Sequence, residues 1–383
     1  MMIDRRSVIG GGAALAAAGL VPLRALAADG PVVNHIVVED GRVWIAAMVN
    51  GKGPHFFIVD TGGALSFIYD GAAKEMGLDP VQGRKIVGVG GKVADYSWYS
   101  AREVRLASGT RFTNMLFAGI GRKLGEAVGA FGAGLFTTYD SDFDFVKGEW
   151  RAYTGGRPDF DGLTRLPGRF DKGNSADRIE LDATIDGYAV QCIADTGAPG
   201  LGLNGRAARN SGLWESDKPY APVRAFGVGD GDGVAARFYR TRELKIGPLV
   251  FNDLLVKVSA PGTLSGGGQD GLIGLNVLSQ LHLSTDVSAG ALYAARNGIQ
   301  APRQTYPLSG LWLDEIKGKT VVGDVGIGSP AAKAGVRTGD VLVGGDFQAM
   351  IRAIGGPPGK AVTLKIERNG TQQDVSYTLA PWF

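Results

Sequence analysis

The stretches FIVDTG, residues 57–62, and CIADTG, residues 192–197, decide the fold of this chain. Each is an apolar run that ends in Asp-Thr-Gly, and the two aspartates, Asp60 and Asp195, are 135 positions apart. Such a run predicts a buried β-strand, and the triplet after it predicts a tight turn. Because two such turns can bring two carboxylates face to face, the pair indicates acid–base catalysis.

The sequence around the second triplet repeats the order of features around the first. A hairpin signal precedes each triplet, Asn50-Gly51 in one copy and Asp186-Gly187 in the other. In each copy the triplet is followed by a short helical stretch, a glycine-rich loop, a strand opening on Arg-Glu and a closing glycine: the helical stretches are 69–76 and 204–210, the strands open at 102 and 242, and the closing glycines are 132 and 274. From residue 129 to 148 the second copy follows at a constant offset of 142, which indicates an internal duplication.

This order of motifs resembles the retropepsin-like aspartic proteases over about residues 31–300, with both copies in one chain. The resemblance implies an all-β fold of two pseudo-symmetric β-barrel lobes with an active-site cleft between them. It also implies that Asp60 and Asp195 are the catalytic pair, which activates a water molecule to hydrolyse a peptide bond with no metal and no other cofactor. The expected substrate is an extended peptide or unfolded protein.

Other residues receive roles from the same resemblance. Support of the catalytic loops is expected from Thr61, Gly62, Thr196 and Gly197. The glycine loops are expected to be flaps over the substrate, formed by Gly88, Val89, Gly90 and Gly91 in the first copy and by Gly227, Val228 and Gly229 in the second. From the residues alone these loops are also compatible with ordinary hairpin turns; their corresponding positions in the two copies favour flaps.

The residues that follow the two triplets, Gly63 and Ala198, carry no hydroxyl group. Neither carboxylate therefore has a neighbouring side-chain donor to stabilise its charged form. We expect an activity optimum in the weakly acidic to near-neutral range, and a rate maximum below about pH 3 would contradict this.

Beyond about residue 303 the sequence changes character. Residues 329–336, SPAAKAGV, followed by GDVL at 339–342, resemble a bacterial PDZ domain, with a helix over 346–354 and a closing hairpin turned at Asn369-Gly370. In such a domain the carboxylate-binding loop holds a peptide C-terminus, a role that here falls to Gly310, Leu311, Trp312 and Leu313. For Trp312, packing in the core is an alternative.

The first 27 residues predict an export signal. Arg5-Arg6 precedes a short, glycine-rich apolar stretch, and Ala25-Leu26-Ala27 offers a cleavage site, a pattern similar to a twin-arginine signal of bacteria. We expect a periplasmic or secreted protein with no stable membrane span after cleavage. The remaining segments are a first lobe over 28–154, a linker over 155–177, a second lobe over 178–302 and the PDZ domain over 303–383.

Composition narrows the function classes. Removing residues 1–27 takes away three arginines and one aspartate, so the net charge falls from +2 to zero and indicates no nucleic-acid partner. The one cysteine, Cys192, lies in an apolar run, which favours packing over a nucleophilic role. No spacing of His, Cys and acidic residues predicts a metal site. Because both copies lie in one chain, we expect an active monomer.

Two alternatives stay open at this point. One is a peptide-binding protein that keeps the fold but lacks catalytic turnover. The other is a PDZ-bearing serine protease, suggested by the sequence GNSA at residues 173–176; the available histidines are His35, His55 and His282.

Overall fold

The computed structural model describes residues 30–82, 85–87, 93–121, 123, 125–157, 159–171, 177–226, 233–263 and 268–383. This part of the chain is mostly β-structure. The residues expected to form the export signal and the two glycine-rich flap loops, 88–91 and 227–229, lie outside the described residues. No helix in the described ranges is both long and apolar enough to cross a membrane.

Within its described residues, the first half of the chain, to residue 153, forms thirteen strands, one short helix and a 3₁₀ turn at Ala133–Leu135. The elements are β1 (Val32–His35), β2 (Val37–Glu39), β3 (Arg42–Val49), β4 (Lys52–Val59), β5 (Phe67–Tyr69), α1 (Asp70–Glu75), β6 (Asp79–Val81), β7 (Lys85–Val87), β8 (Val93–Asp95), β9 (Trp98–Leu106), β10 (Arg111–Ile120), β11 (Gly129–Phe131), β12 (Asp140–Asp144) and β13 (Glu149–Tyr153).

The second half extends to residue 296 and has a similar order of elements. They are β14 (Thr164–Arg165), β15 (Gly168–Asp171), β16 (Arg178–Ile185), β17 (Tyr188–Ala194), β18 (Leu201–Leu203), α2 (Gly205–Asn210), β19 (Ala221–Ala225), β20 (Val234–Arg240), β21 (Glu243–Ile246), β22 (Leu249–Asn252), β23 (Leu255–Ser259), β24 (Gly271–Ile273), α3 (Leu275–Leu278), β25 (Leu281–Asp286) and β26 (Ala291–Arg296).

The last part of the chain forms a separate five-stranded sheet in the order β27-β28-β29-β30-β31, with two helices. Its core is its own, distinct from the large core of the first two halves. We call residues 305–383 the C-terminal unit. Its elements are β27 (Leu311–Ile316), β28 (Lys319–Val325), α4 (Pro330–Lys333), β29 (Val341–Val343), α5 (Phe347–Ile354), β30 (Ala361–Arg368) and β31 (Thr371–Thr378).

The two halves build the same arrangement of strands around each Asp-Thr-Gly triplet. In the first half β4 pairs in parallel with β11, β11 pairs antiparallel with β5, and β5 pairs in parallel with β10. In the second half β17, β24, β18 and β23 make the same three pairings in the same order. Both triplets therefore follow a strand in the interior of a sheet.

The hairpin turns before the triplets are alike in backbone and in side-chain bonding. Asn50 and Asp186 both have φ of 50°, and each is followed by a glycine with positive φ, as this type of two-residue turn requires. Asn50 accepts a hydrogen bond from the amide of Glu103, and Asp186 accepts one from that of Glu243. Each turn is thus tied to a neighbouring strand at the corresponding place.

A six-stranded sheet joins the two halves, in the order β1-β13-β12-β25-β26-β14. Its central pairing places Asp142 opposite Ser284 and Phe143 opposite Leu283. Asp142 is 5% exposed, and its carboxylate accepts hydrogen bonds from the hydroxyls of Tyr153 (2.6 Å) and Ser284 (2.5 Å) and a charge-assisted bond from Arg157 (3.2 Å). Both halves contribute to this buried polar cluster.

Two expectations about the strands need correction. The segment 155–177, expected to be a linker, contains β14 and β15, because each pairs along a neighbouring strand of the second half. The strand expected to open at Arg102 begins four residues earlier, at Trp98, because residues 98–101 pair with β10. The helices and the C-terminal hairpin turn lie within one or two residues of their expected positions.

Replacement of Asp142 by Asn is expected to lower the free energy of unfolding at pH 7 by about 2 kcal/mol or more. Burial by itself would raise the pKa of Asp142, but the nearby His282 ring, hydrogen bonds from Ser284 and Tyr153 and the charge of Arg157 hold it well below the usual range. A depressed pKa stabilises the fold above the unfolded-state value, about 3.9, and the contribution is lost as pH falls below it.

Urea unfolding of wild type and Asp142→Asn across pH 3 to 7 measures this difference. The gap between the two proteins should be widest at pH 7 and narrow toward pH 3. Asp253→Asn is the control, since Asp253 forms an exposed ion pair with Arg240 and should change stability little at any pH. An equal loss at all pH values would contradict the expectation.

Candidate active site

The two Asp-Thr-Gly loops are each anchored by the strand that pairs with the preceding motif strand. The amide of Asp60 donates to the carbonyl of Phe131 on β11, and the amide of Asp195 donates to the carbonyl of Ile273 on β24, both at 2.9 Å. The paired strands thus fix where each aspartate leaves its sheet. Both aspartates are half-buried.

The two loops are bonded directly to each other through their threonines. The Thr61 amide donates to the hydroxyl of Thr196 (3.2 Å), and the Thr196 amide donates to the hydroxyl of Thr61 (3.0 Å). Each hydroxyl donates in turn to a carbonyl of the opposite half, Thr61 to Ala194 (2.8 Å) and Thr196 to Val59 (2.6 Å). Four buried hydrogen bonds therefore set the separation of the two halves at this point.

Each carboxylate is also held by the amides of its own loop. Asp60 Oδ1 accepts from the amides of Gly62 (3.1 Å) and Gly63 (2.8 Å). Asp195 Oδ1 accepts from the amides of Gly197 (2.8 Å) and Ala198 (3.1 Å). One oxygen of each group is fixed in this way, and the other remains for the partner carboxyl or a water molecule.

The glycines of the triplets are required by the approach of the opposite carboxyl group. A Cβ atom on Gly62 would lie 2.4 Å from Cγ of Asp195, and one on Gly197 would lie 2.8 Å from Cγ of Asp60. Any side chain at either position would push the partner aspartate away. The absence of Cβ at Gly62 and Gly197 therefore lets the two carboxyl groups meet.

Burial and mutual repulsion raise the pKa of both aspartates. For Asp195, burial is the larger cause and the negative charge of Asp60 the second, and together they raise its pKa well above the usual range. Burial also raises the pKa of Asp60, against the hydrogen bond from Asp195 and those from the loop amides. The pair consequently titrates in two steps, with one proton held between the groups over the interval.

A basic side chain that the motifs do not reveal, Arg178, lies near the pair. Arg178 is the first residue of β16, the strand that pairs with the motif strand β17. Its guanidinium bonds to Asp171 at 2.6 Å, and its positive charge lowers the pKa of Asp60. The only signal in the sequence was its place in the repeat, where the first copy carries Arg42.

The halves differ beside the motif strands. In the first half Trp44, Ile58, Ala127 and Ala130 form a small apolar cluster. At the equivalent positions of the second half, Glu180 and Gln269 replace Trp44 and Ala127. The amide of Gln269 donates to Glu180 and to Asp171, each at 3.0 Å. A charged network that includes the partner of Arg178 thus occurs in one half only.

The histidines and the cysteine show no catalytic arrangement of their own. His282 Nε2 is 3.7 Å from Asp142 Oδ2, while the Ser284 hydroxyl donates to the same carboxylate rather than to the histidine. Burial raises the pKa of the Cys192 thiol, so its reactive thiolate is disfavoured. Ser175 lies outside the described residues, and the described residues contain no cluster of three or more metal-binding side chains.

In the C-terminal unit the residues expected to bind a peptide end lie at the start of β27. Gly310 has φ of 75°, and the amide of Leu311 donates to Ser309 Oγ at 3.2 Å. Leu311 and Leu313 are buried in the core. Trp312 points elsewhere: its indole nitrogen donates to Asp314, and Arg224 of the second half lies over its ring.

Replacement of Asp195 by Asn is expected to stabilise the protein at pH 7 by on the order of 1 kcal/mol or more. A raised pKa means that the fold disfavours the charged form, so the aspartate costs stability above its unfolded-state pKa and costs nothing below it. The asparagine keeps the Oδ1 acceptor for Gly197 and Ala198 and removes the charge.

Thermal unfolding at pH 7 and pH 3 tests this. We expect Asp195→Asn to raise Tm at pH 7 and to have little effect at pH 3, where both carboxyls of wild type are protonated. Asp253→Asn serves as the control for loss of an exposed charge. A lower Tm than wild type at pH 7 would show that the pair is not strained by its charge.

Comparison with known proteins adds one family and two solved structures. The model of the aspartyl protease family matches residues 45–125 and 181–277. A retropepsin-like aspartic protease from Rickettsia conorii is 16% identical, with 34% of this chain and 90% of that chain covered and a TM-score of 0.26. An aspartic proteinase from Irpex lacteus is 14% identical, with 70% of this chain and 97% of that chain covered and a TM-score of 0.41.

No match to the chain was found among curated proteins. The two segments matched by the family model each contain one of the Asp-Thr-Gly triplets, Asp60 in the first and Asp195 in the second. The chain is thus similar to aspartyl proteases in both parts that supply the carboxyl pair, and this similarity supports an aspartic protease function.

Proposed function

We propose that this chain is an exported aspartic endopeptidase that hydrolyses peptide bonds with a water molecule activated by Asp60 and Asp195. The observation that carries the proposal is the reciprocal bonding of the two loops. Thr61 and Thr196 each bond across to the other half, and Gly62 and Gly197 leave room for the opposing carboxyls. Two carboxyl groups held in this way share a proton, as acid–base hydrolysis requires.

The raised pKa values of both aspartates support a pair that holds one proton. In the proposed cycle this proton starts on Asp195. Asp60 then takes a proton from water as the water oxygen attacks the peptide carbonyl carbon, and Asp195 gives its proton to the carbonyl oxygen. When the C–N bond breaks, the proton on Asp60 passes to the leaving nitrogen and Asp195 regains one from the hydroxyl.

We interpret the two halves as duplicated lobes with the substrate cleft between them. The shared order of strand pairings, the matching hairpin turns and the constant sequence offset support this. An extended peptide is the proposed substrate, since backbone groups on both sides of such a cleft can bond to it. Because one chain supplies both aspartates, catalysis requires no second copy.

We interpret the C-terminal unit as a PDZ domain that binds peptide ends. In support, β27 is an edge strand among the described strands, α5 packs beside it, and the loop at Ser309-Gly310 leads into it. A peptide can add to such an edge as a further strand, with its terminal carboxylate at the loop. The N-terminal sequence supports export to the periplasm or beyond.

Replacement of Asp60 by Asn is expected to abolish hydrolysis of an unfolded protein, because the amide cannot accept a proton from water. Loss of a catalytic carboxylate should lower kcat/KM by about 1000-fold or more. The measurement is cleavage of reduced, denatured casein by the chain lacking residues 1–27. Asp374→Asn, a change in an exposed ion pair of the C-terminal unit, is the matched control and should retain activity.

If wild type binds peptides but cleaves none, the chain is a binding protein of this fold rather than a protease. If a serine-directed reagent stops cleavage and Asp195→Asn does not, the serine protease alternative is correct.

The pH profile of kcat/KM is expected to be bell-shaped with its maximum in the weakly acidic to near-neutral range. The rate rises as the pair loses its first proton and falls as it loses the second, and both steps lie above the ordinary range because both pKa values are raised. Arg178→Gln should move the acidic limb to higher pH, since the positive charge of Arg178 lowers the pKa of Asp60. Arg178→Lys should move it less. An unchanged acidic limb in Arg178→Gln would contradict this role.

A further inference from the structure

We propose that the C-terminal unit fixes the position of one wall of the substrate cleft through its contacts with the hairpin β19–β20 of the second half. The proposal rests on the proposed function and on the expectation from the sequence that this hairpin carries the second flap. The residues that connect β19 to β20, 227–232, lie outside the described ranges, and the argument uses the two strands alone. If these contacts hold the hairpin in place, their loss should affect substrate binding rather than the chemistry at Asp60 and Asp195.

The first contact joins β19 to β27. Arg224 on β19 bonds to Asp314 on β27 at 2.9 Å, with the two side chains only 25% and 32% exposed. The same Asp314 oxygen accepts from the indole of Trp312 at 2.9 Å, and the Arg224 guanidinium lies 5.3 Å from the centre of the Trp312 ring. A partly buried ion pair backed by an aromatic ring is stronger than an exposed pair.

The second contact joins both strands of the hairpin region to the end of β28. The hydroxyl of Tyr220, which is 4% exposed, lies 2.9 Å from Asp324 Oδ1 and 3.0 Å from the carbonyl oxygen of Val325. Arg237 on β20 bonds to Asp324 Oδ2 at 3.3 Å, and its guanidinium lies between the rings of Trp214 (4.1 Å) and Tyr220 (3.9 Å). Asp324 therefore contacts both β20 and the residue that precedes β19.

An apolar cluster packs beside these polar contacts. Tyr306 stacks on Phe383 with ring centroids 4.2 Å apart and meets Trp382 edge to face at 4.8 Å. This aromatic group packs with Ala221 and Phe238 of the hairpin and with Leu255 on β23. Since water is excluded on one side, the neighbouring charge pairs are less screened than on an open surface.

The fit of the two surfaces is close at Gly326. A Cβ atom at this glycine would lie 2.2 Å from the carbonyl oxygen of Tyr220 and 3.3 Å from Pro222. Gly326 does not have a positive φ, so its backbone conformation accepts alanine and only the contact would oppose it. The glycine thus offers a steric wedge for separating the two surfaces without changing a charge.

The corresponding hairpins of the two halves differ in what they contact. In the first half the corresponding hairpin, β7–β8, forms a two-stranded sheet of its own, and among the described strands it pairs with no other. In the second half β20 pairs with β23, and β19–β20 is held on its outer side by the C-terminal unit. One wall of the proposed cleft is therefore held by the C-terminal unit, whereas the described strands β7 and β8 pair with no strand of that unit.

The test uses the chain lacking residues 1–27 with Arg224→Ala, Asp314→Ala, the double variant, Asp324→Asn and the wedge Gly326→Ala. Asp374→Asn is the control, because its ion pair with Lys365 is exposed and joins β30 to β31 rather than β27 or β28 to the hairpin. Hydrogen exchange by mass spectrometry is followed in peptides covering 220–226 and 233–240, and kcat and KM are measured on a peptide substrate. Thermal unfolding confirms that each variant is folded.

Each interface variant is expected to speed exchange in both hairpin peptides and to raise KM about threefold to tenfold, with kcat changed less than about twofold. Arg224→Ala and Asp314→Ala should not be additive, since each removes the same pair. Asp374→Asn should match wild type in every measurement. A further test is Gly326→Ala, which should also raise KM with little change in kcat, although the contact that it disturbs involves no charge.

Unchanged exchange in the hairpin would overturn the proposal, and so would faster exchange with unchanged KM, or a fall in kcat with KM constant. Failure of the proposed function has a different signature, because wild type itself would then cleave no substrate. Exchange in the hairpin would still decide whether the C-terminal unit holds β19 and β20.

Discussion

Two buried carboxyl groups that must lie side by side are the constraint on which the rest of this structure depends. Their repulsion and burial oppose the arrangement, as the raised pKa values of Asp60 and Asp195 show. The opposing force comes from backbone and hydroxyl bonds that cross between the loops of Thr61 and Thr196. Neutral hydrogen-bonding groups thus hold the two repelling carboxyl groups together. Keeping such a pair in place costs the protein stability.

The sequence could predict this centre because the features that build it are local and written twice. An apolar run, a triplet without a side chain at its third position and a two-residue turn each have a direct backbone consequence. Repetition of all three in the same order converted three weak signals into one strong one. The positions of both helices that follow the triplets, α1 and α2, were predictable for the same reason.

Contacts between distant segments were not predictable in this way. Tyr220 and Asp324 are 104 residues apart, and Asp142 and Ser284 are 142 apart; in the sequence each is an ordinary polar residue. Strand β15 could not be predicted from the sequence, because its four residues include two charged ones and form a strand only by pairing with β16. Arg178 matters through its charge near Asp60, which no motif records.

The pairing of β12 with β25 has a consequence for how the cleft is entered. Backbone hydrogen bonds run from one half to the other through Asp142 and Phe143, and a buried carboxylate network encloses them. The two halves cannot separate at this sheet without exposing those groups to water. The sheet is therefore a rigid connection between the halves. If the chain acts on polypeptides as proposed, their admission must come from deformation of elements outside this sheet. The rate of such deformation then becomes a property that sequence changes far from the aspartates can tune.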